Sequence, residues 1–177
     1  MVCAAVLPLG PRPVFQTATS AKLLIVGQAP GARVHATGIP WNDASGDRLR
    51  NWLGLARAEF YDRRRVAILP IGLCYPGRLP RGGDASPRLE CAPLWQARFL
   101  AALPGIRLTL LVGTYAQVYH LGAGKMEDRV RAIAESRNYV ALPHPSWRTR
   151  AWVERRPWFA RDVLPILRAR IADVMAD

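Results

Sequence analysis

The chain has 177 residues, half of them hydrophobic, enough for one domain with a real core and too apolar for disorder except at the ends. It carries 25 Lys and Arg against 13 Asp and Glu, a net charge of +12, and all but two of the cations are Arg. That balance points to a polyanion partner, most simply DNA or RNA, although an Arg-rich composition from a high-GC genome gives the same number.

No apolar run is long enough to cross a bilayer, and the opening MVCAAVLPLGPRP lacks the basic stretch of a signal peptide. A cytoplasmic protein is therefore expected. The cysteines, Cys3, Cys74 and Cys91, form an odd, scattered set that argues for a reducing compartment and against a disulfide framework. Nothing in the pattern suggests more than a monomer.

Residues 1–20 are rich in Pro, Gly, Ser and Thr and read as an arm over the surface, with 21–177 forming one domain. Residues 22–26 read as a buried first strand. It runs out through Gly27-Gln28-Ala29-Pro30-Gly31 into a long loop that carries His35 and reaches Asp43. A helix is predicted from about Ser45, with Ser45 as N-cap and Leu49, Trp52, Leu53 and Leu55 as its apolar face. Arg48, Arg50 and Arg57 are expected to project elsewhere.

Residues 66–71 read as a second strand. The stretch 74–93 reads as a long loop whose Arg78, Arg81 and Arg88 suit a phosphate backbone, or simply a solvated basic surface. Helices are predicted over 94–103, Thr114–Leu121, 126–135 and 157–174, and strands over Leu108–Val112 and Tyr139–Leu142. Strands alternating with helices imply a three-layer α/β/α domain around a four-stranded, mainly parallel sheet.

Two strand exits carry the chemistry: the one after Val26 and the one into Pro143-His144-Pro145-Ser146-Trp147-Arg148. In a parallel sheet both loops lie on the carboxyl edge, where ligands bind. That placement would bring Trp41, Asp43 and His144 into one cleft. Asp47 instead suits the electrostatics of a helix N-terminus. Gly27–Gly31 is followed by no Gly-Lys-Ser/Thr and contains no G-x-G-x-x-G, which argues against a P-loop hydrolase and a dinucleotide site. His35 and His120 receive no role.

Gly27-Gln28-Ala29-Pro30-Gly31 together with His144-Pro145-Ser146 resembles the two signature motifs of the uracil-DNA glycosylase superfamily. The segment 38–47, GIPWNDASGD, is similar to the corresponding stretch of its bacterial and archaeal iron–sulfur branches. The resemblance implies a four-stranded parallel sheet between helices. It also implies hydrolysis of an N-glycosidic bond in DNA, releasing uracil from a nucleotide taken out of the stack.

It implies, residue by residue, that His144 donates to the departing base and that Asp43 steadies the sugar cation and orients water. Trp41 would stack on the base, with Gln28 and Asn42 as further base contacts. Pro30, Gly31, Ser146, Trp147 and Arg148 would contact DNA, Arg148 filling the vacated space, with Arg78 and Arg81 adding charge from the long loop.

The chain also departs from the pattern. Ala29 stands where one branch has a catalytic Asp, Gln28 where another often has Glu, and Pro70 where an Asn reads the uracil edge. The iron–sulfur branches use four thiolates; with three cysteines, no cofactor and no metal is expected here. Gln28, Ala29 and Pro70 equally suit a catalytically weak binder of DNA or abasic sites, and Pro70 suits a glycosylase for another deaminated or mismatched base.

Overall fold

A computed structural model describes residues 3–176. The strands β1 (Leu23–Val26), β2 (Val66–Ile68), β3 (Leu108–Val112) and β4 (Tyr139–Leu142) form one sheet in the order β2-β1-β3-β4, with every pairing parallel. The helices are α1 (Ala32–Thr37), α2 (Ala44–Leu53), α3 (Arg57–Tyr61), α4 (Cys91–Ala101), α5 (Thr114–Leu121), α6 (Met126–Arg131), α7 (Arg150–Glu154) and α8 (Leu164–Ala176).

The two-residue period of the strands sorts the core onto two faces. Leu23 and Ile25 of β1, with Leu108 and Leu110 of β3, pack with Leu49, Trp52 and Leu53 of α2, Phe60 of α3, Val130 of α6 and Leu167 and Ile171 of α8. The intervening Leu24, Val26 and Leu111 face Cys91 and Ala92 of α4 and Ala116 of α5. The sheet is buried on both faces, as continuous apolar runs in parallel strands require, and the domain is the expected three-layer α/β/α.

Several local expectations are corrected. The stretch after Gly31 is not all loop: α1 forms there and ends at Gly38 in left-handed conformation. The N-cap of α2 is Asp43, whose Oδ1 accepts from Gly46 N at 2.8 Å; Ser45 lies inside the helix. Two short helices, α3 and α7, were not expected. The helix predicted over 126–135 divides into α6 and a 3₁₀ turn, Ala132–Ala134, and the last helix begins with a π-type turn, Phe159–Val163.

Residues 1 and 2 of the expected arm lie outside the described residues, as does Asp177 at the end of the expected domain. The rest of the arm is tied down: Val14 and Leu7 are buried, and Gln16 exchanges backbone hydrogen bonds with Ile68 at the β2 edge. Gln16 Nε2 also donates to the carbonyls of Phe60 and Val66, so the edge of β2 is covered rather than open.

Arg50 corrects a further expectation. It does not project outward but is 7% exposed, donating to the Trp41 carbonyl, the Tyr61 hydroxyl and Asp47. The Tyr61 hydroxyl in turn donates to the Pro40 carbonyl at 2.9 Å. This network fixes the two residues that lead into the cleft. Trp41 itself has φ of 55°, the one non-glycine among the described residues with positive φ. A Cβ on Gly46 would run into the Trp41 carbonyl. Gly46→Ala should therefore cost about 3 kcal/mol in urea unfolding and shift the Trp fluorescence, because backbone and not a flexible side chain must move.

Candidate active site

In the order β2-β1-β3-β4 the chain leaves β1 toward β2 on one side and later returns to β3 on the other, which opens a crevice at the carboxyl ends of β1 and β3. A cavity of about 400 Å³ lies at this edge. Its walls come from the loop after β1 (Gly27 to Gly31), the segment Pro40 to Ser45, the loop after β4 (His144 to Thr149) and the hairpin at Gly83 and Asp84.

The ring of Trp41 lies over Gly27, where a Cβ would sit 2.9 Å from Cζ2. It faces the imidazole of His144 with 5.5 Å between centroids and 33° between planes. His144 is packed on Gly113 at the end of β3, a glycine at φ +88° whose added Cβ would lie 3.2 Å from His144 Cβ. The loops after β1, β3 and β4 thus meet at one imidazole.

Hydrogen bonds hold the His144 loop in place. Thr149 Oγ1 donates to the carbonyls of His144 and Ser146. Arg48, from α2, donates to the carbonyls of Pro145 and Ser146 at 3.1 and 2.9 Å. The helix that Asp43 caps therefore also secures the opposite wall. With Oδ1 committed to the cap, Asp43 turns Oδ2 toward Gly31, 4.0 Å from where a Cβ there would be.

Burial pushes the His144 pKa down to about 4, and the nearby Asp43 charge offsets this only in part. At neutral pH the imidazole is uncharged, with one N–H to donate.

Of the residues singled out in the sequence, Gln28, Pro30, Gly31, Trp41, Asp43, His144, Ser146, Trp147 and Arg148 line the cavity. Trp147 is 76% exposed, and the Arg148 guanidinium reaches across to Gly83. Asn42 is not part of the lining: its side-chain oxygen accepts from Arg57 at 3.1 Å, on the far side of the turn. Arg78 and Arg81 are also outside it, exposed on the hairpin.

Pro70 lines the cavity, but its carbonyl accepts from the buried Gln96 Nε2 at 2.9 Å. Asp84, Thr149, Arg48 and Arg50 were missed; only the Gly82-Gly83 pair, a turn signal directly before an acid, marked the first of them.

The profile described as the uracil DNA glycosylase superfamily matches residues 14–168. The chain belongs to this superfamily. Among solved structures it is similar to the solution NMR structure of a candidate uracil DNA glycosylase from Methanosarcina acetivorans. The two are 16% identical with a TM-score of 0.50 over 89% of this chain and 98% of that one, a likeness of fold. Superfamily membership suggests DNA glycosylase chemistry, with DNA as the partner. No helix among the described residues is long and apolar enough to cross a membrane.

The iron–sulfur branches hold their cluster with four thiolates, and this chain has three cysteines. The thiols of Cys3, Cys74 and Cys91 lie close enough to affect one another's charge, and burial raises the pKa of Cys74 and Cys91. Cys91 Sγ accepts from Leu73 N at 3.3 Å. Among the described residues no group of three or more His, Cys, Asp or Glu is arranged to hold a metal ion.

The lowered pKa of His144 has a stability consequence with a definite sign. Below pH 6.5 the unfolded chain takes up a proton that the folded site resists until about pH 4. Stability should fall by up to about 3 kcal/mol across that window as pH drops. Urea unfolding at pH 7 and pH 4 checks this, and His144→Gln should remove that part of the loss.

Proposed function

We propose that this superfamily member is a monofunctional glycosylase that hydrolyses the N-glycosidic bond of an extruded deoxyuridine in DNA, releasing uracil and leaving an abasic site. The observation that carries the reading is the convergence of Trp41, His144 and the free Oδ2 of Asp43 on one cavity at the carboxyl edge of the sheet.

The cavity suits a single base. Trp41 offers an indole face for stacking, worth about 1–3 kcal/mol per base. The Gln28 amide, which has a donor and an acceptor, suits the carbonyl and imino edge of uracil. As the bond from the base nitrogen to C1′ breaks, its electron pair leaves with the base and positive charge grows on the sugar. The neutral His144 N–H donates to the base oxygen where negative charge collects. Asp43 Oδ2 faces the sugar and orients the water, whose oxygen bonds to C1′ and whose proton passes to the carboxylate.

The basic rim, including Arg148 beside Ser146 and Trp147 and the exposed Arg78 and Arg81, suits the phosphate backbone. Because the Pro70 carbonyl is engaged by Gln96, the edge of the base is left to Gln28. That observation favours a second reading, in which hypoxanthine, xanthine or thymine opposite guanine is the preferred base.

Two measurements test the assignment. Base release from an oligonucleotide carrying one uracil should fall by about 10²–10³-fold in His144→Ala and Asp43→Asn with folding retained. Full activity in both variants refutes it. Because His144 already works uncharged, wild-type activity should persist from pH 8 to pH 5, with no loss centred near pH 6.5. A panel of modified bases in the same strand decides between the two readings of the substrate.

A further inference from the structure

One charged group in the cavity is left unused by this chemistry. Asp84 sits on the hairpin closed by Leu79 N to Gly83 O and Ala85 N to Gly77 O, both at 2.8 Å. The turn depends on Gly82 and Gly83, at φ +87° and +85°, where side chains would be strained. The hairpin carries the exposed Asp84 to the lining of the cavity.

Its Oδ2 stands 3.1 Å from where a Gly31 Cβ would be, and Asp43 Oδ2 stands 4.0 Å from the same point. The two oxygens are therefore no more than about 7 Å apart, both beside a residue with no side chain to fill the space. The neighbours of Asp84 are the Tyr75 hydroxyl, whose pKa is pushed up first by desolvation and then by this carboxylate, Arg78 on the same hairpin, and Arg148 lying against Gly83.

A carboxylate at a DNA cleft repels phosphate and weakens binding of the ground-state substrate, whose sugar is uncharged. A cation forming between the two acids reverses that cost, so the arrangement stabilises the transition state over the ground state. We infer that Asp84 is a second active-site carboxylate that faces the sugar of the extruded nucleotide opposite Asp43, so that the developing positive charge lies between two acids. This rests on the glycosylase reading given above.

The test compares two abasic analogues in one oligonucleotide: a pyrrolidine, cationic at the sugar, and a tetrahydrofuran, neutral. Wild-type protein should prefer the cationic strand, and Asp84→Asn should reduce that preference about tenfold while binding the neutral strand as well or better. Asp84→Glu, which keeps the charge, should retain most of the preference. Base release from the uracil strand should fall about tenfold in Asp84→Asn with its thermal midpoint unchanged. An unaltered preference between the two analogues in Asp84→Asn overturns the inference, whatever the enzyme releases. Failure of wild-type protein to release any base defeats the glycosylase reading instead, and the paired analogues still decide the role of Asp84.

Discussion

The site depends on how the backbone is held at Trp41. Its left-handed conformation is unfavourable for a residue with a bulky side chain, a strain on the order of 1–3 kcal/mol. The surroundings over-determine it. Gly46 leaves room for the Trp41 carbonyl, Arg50 donates to that carbonyl, and Tyr61 ties down the preceding one. A buried guanidinium is costly unless its donors are met, and Arg50 meets them with Asp47, Tyr61 and this same carbonyl. Polar groups inside the domain are thereby used to aim one indole over Gly27 and toward His144.

Asp43 links that framework to the proposed chemistry. As N-cap of α2 it satisfies a donor that the helix would otherwise leave unpaired, and it sits at the positive end of the helix. Both effects hold the carboxylate in one orientation. Capping uses Oδ1 alone, so the group is anchored by one oxygen and presents the other to the cleft. Arg48, one turn further along α2, secures the carbonyls of Pro145 and Ser146, so a single helix sets the distance between the acid and the imidazole walls. Loops held in this way keep a precise geometry because they are tied to a packed helix.

The strands were readable because they are unbroken apolar runs ending in Gly or Pro. β3, α5 and β4 fall where the pattern placed them. Helix α1 was hidden because it has only six residues and lies among glycines and prolines, and α3 and α7 are shorter still. The cap of α2 was misread because Ser45 and Asp43 are both good cap residues, and it is the Asp43 carboxylate that accepts from Gly46 N. The burial of Arg50 could not be read, since a charge on an amphipathic helix ordinarily faces water. Asn42 looked like a base contact because it adjoins Trp41, but the left-handed turn at Trp41 sends its amide to Arg57. Asp84 escaped because a hairpin, not a strand end, delivers it.

The distribution of charge shows how these parts act together. The surface is strongly basic, which draws in a polyanion at long range and screens with salt. The cavity is different: its imidazole is neutral and two carboxylates lie close to a bare glycine. An imidazolium beside the base would bind a leaving anion more strongly, but its charge would also oppose the cation forming on the sugar close by. A neutral donor avoids that conflict, since it stabilises the base oxygen through a dipole and leaves the field of the acids on the sugar undiminished. Desolvation of His144 against Gly113 and Trp41 thus does more than pack the loop. In the proposed reaction it sets the protonation state under which base and sugar are stabilised at once, with opposite charges developing on either side of the breaking bond.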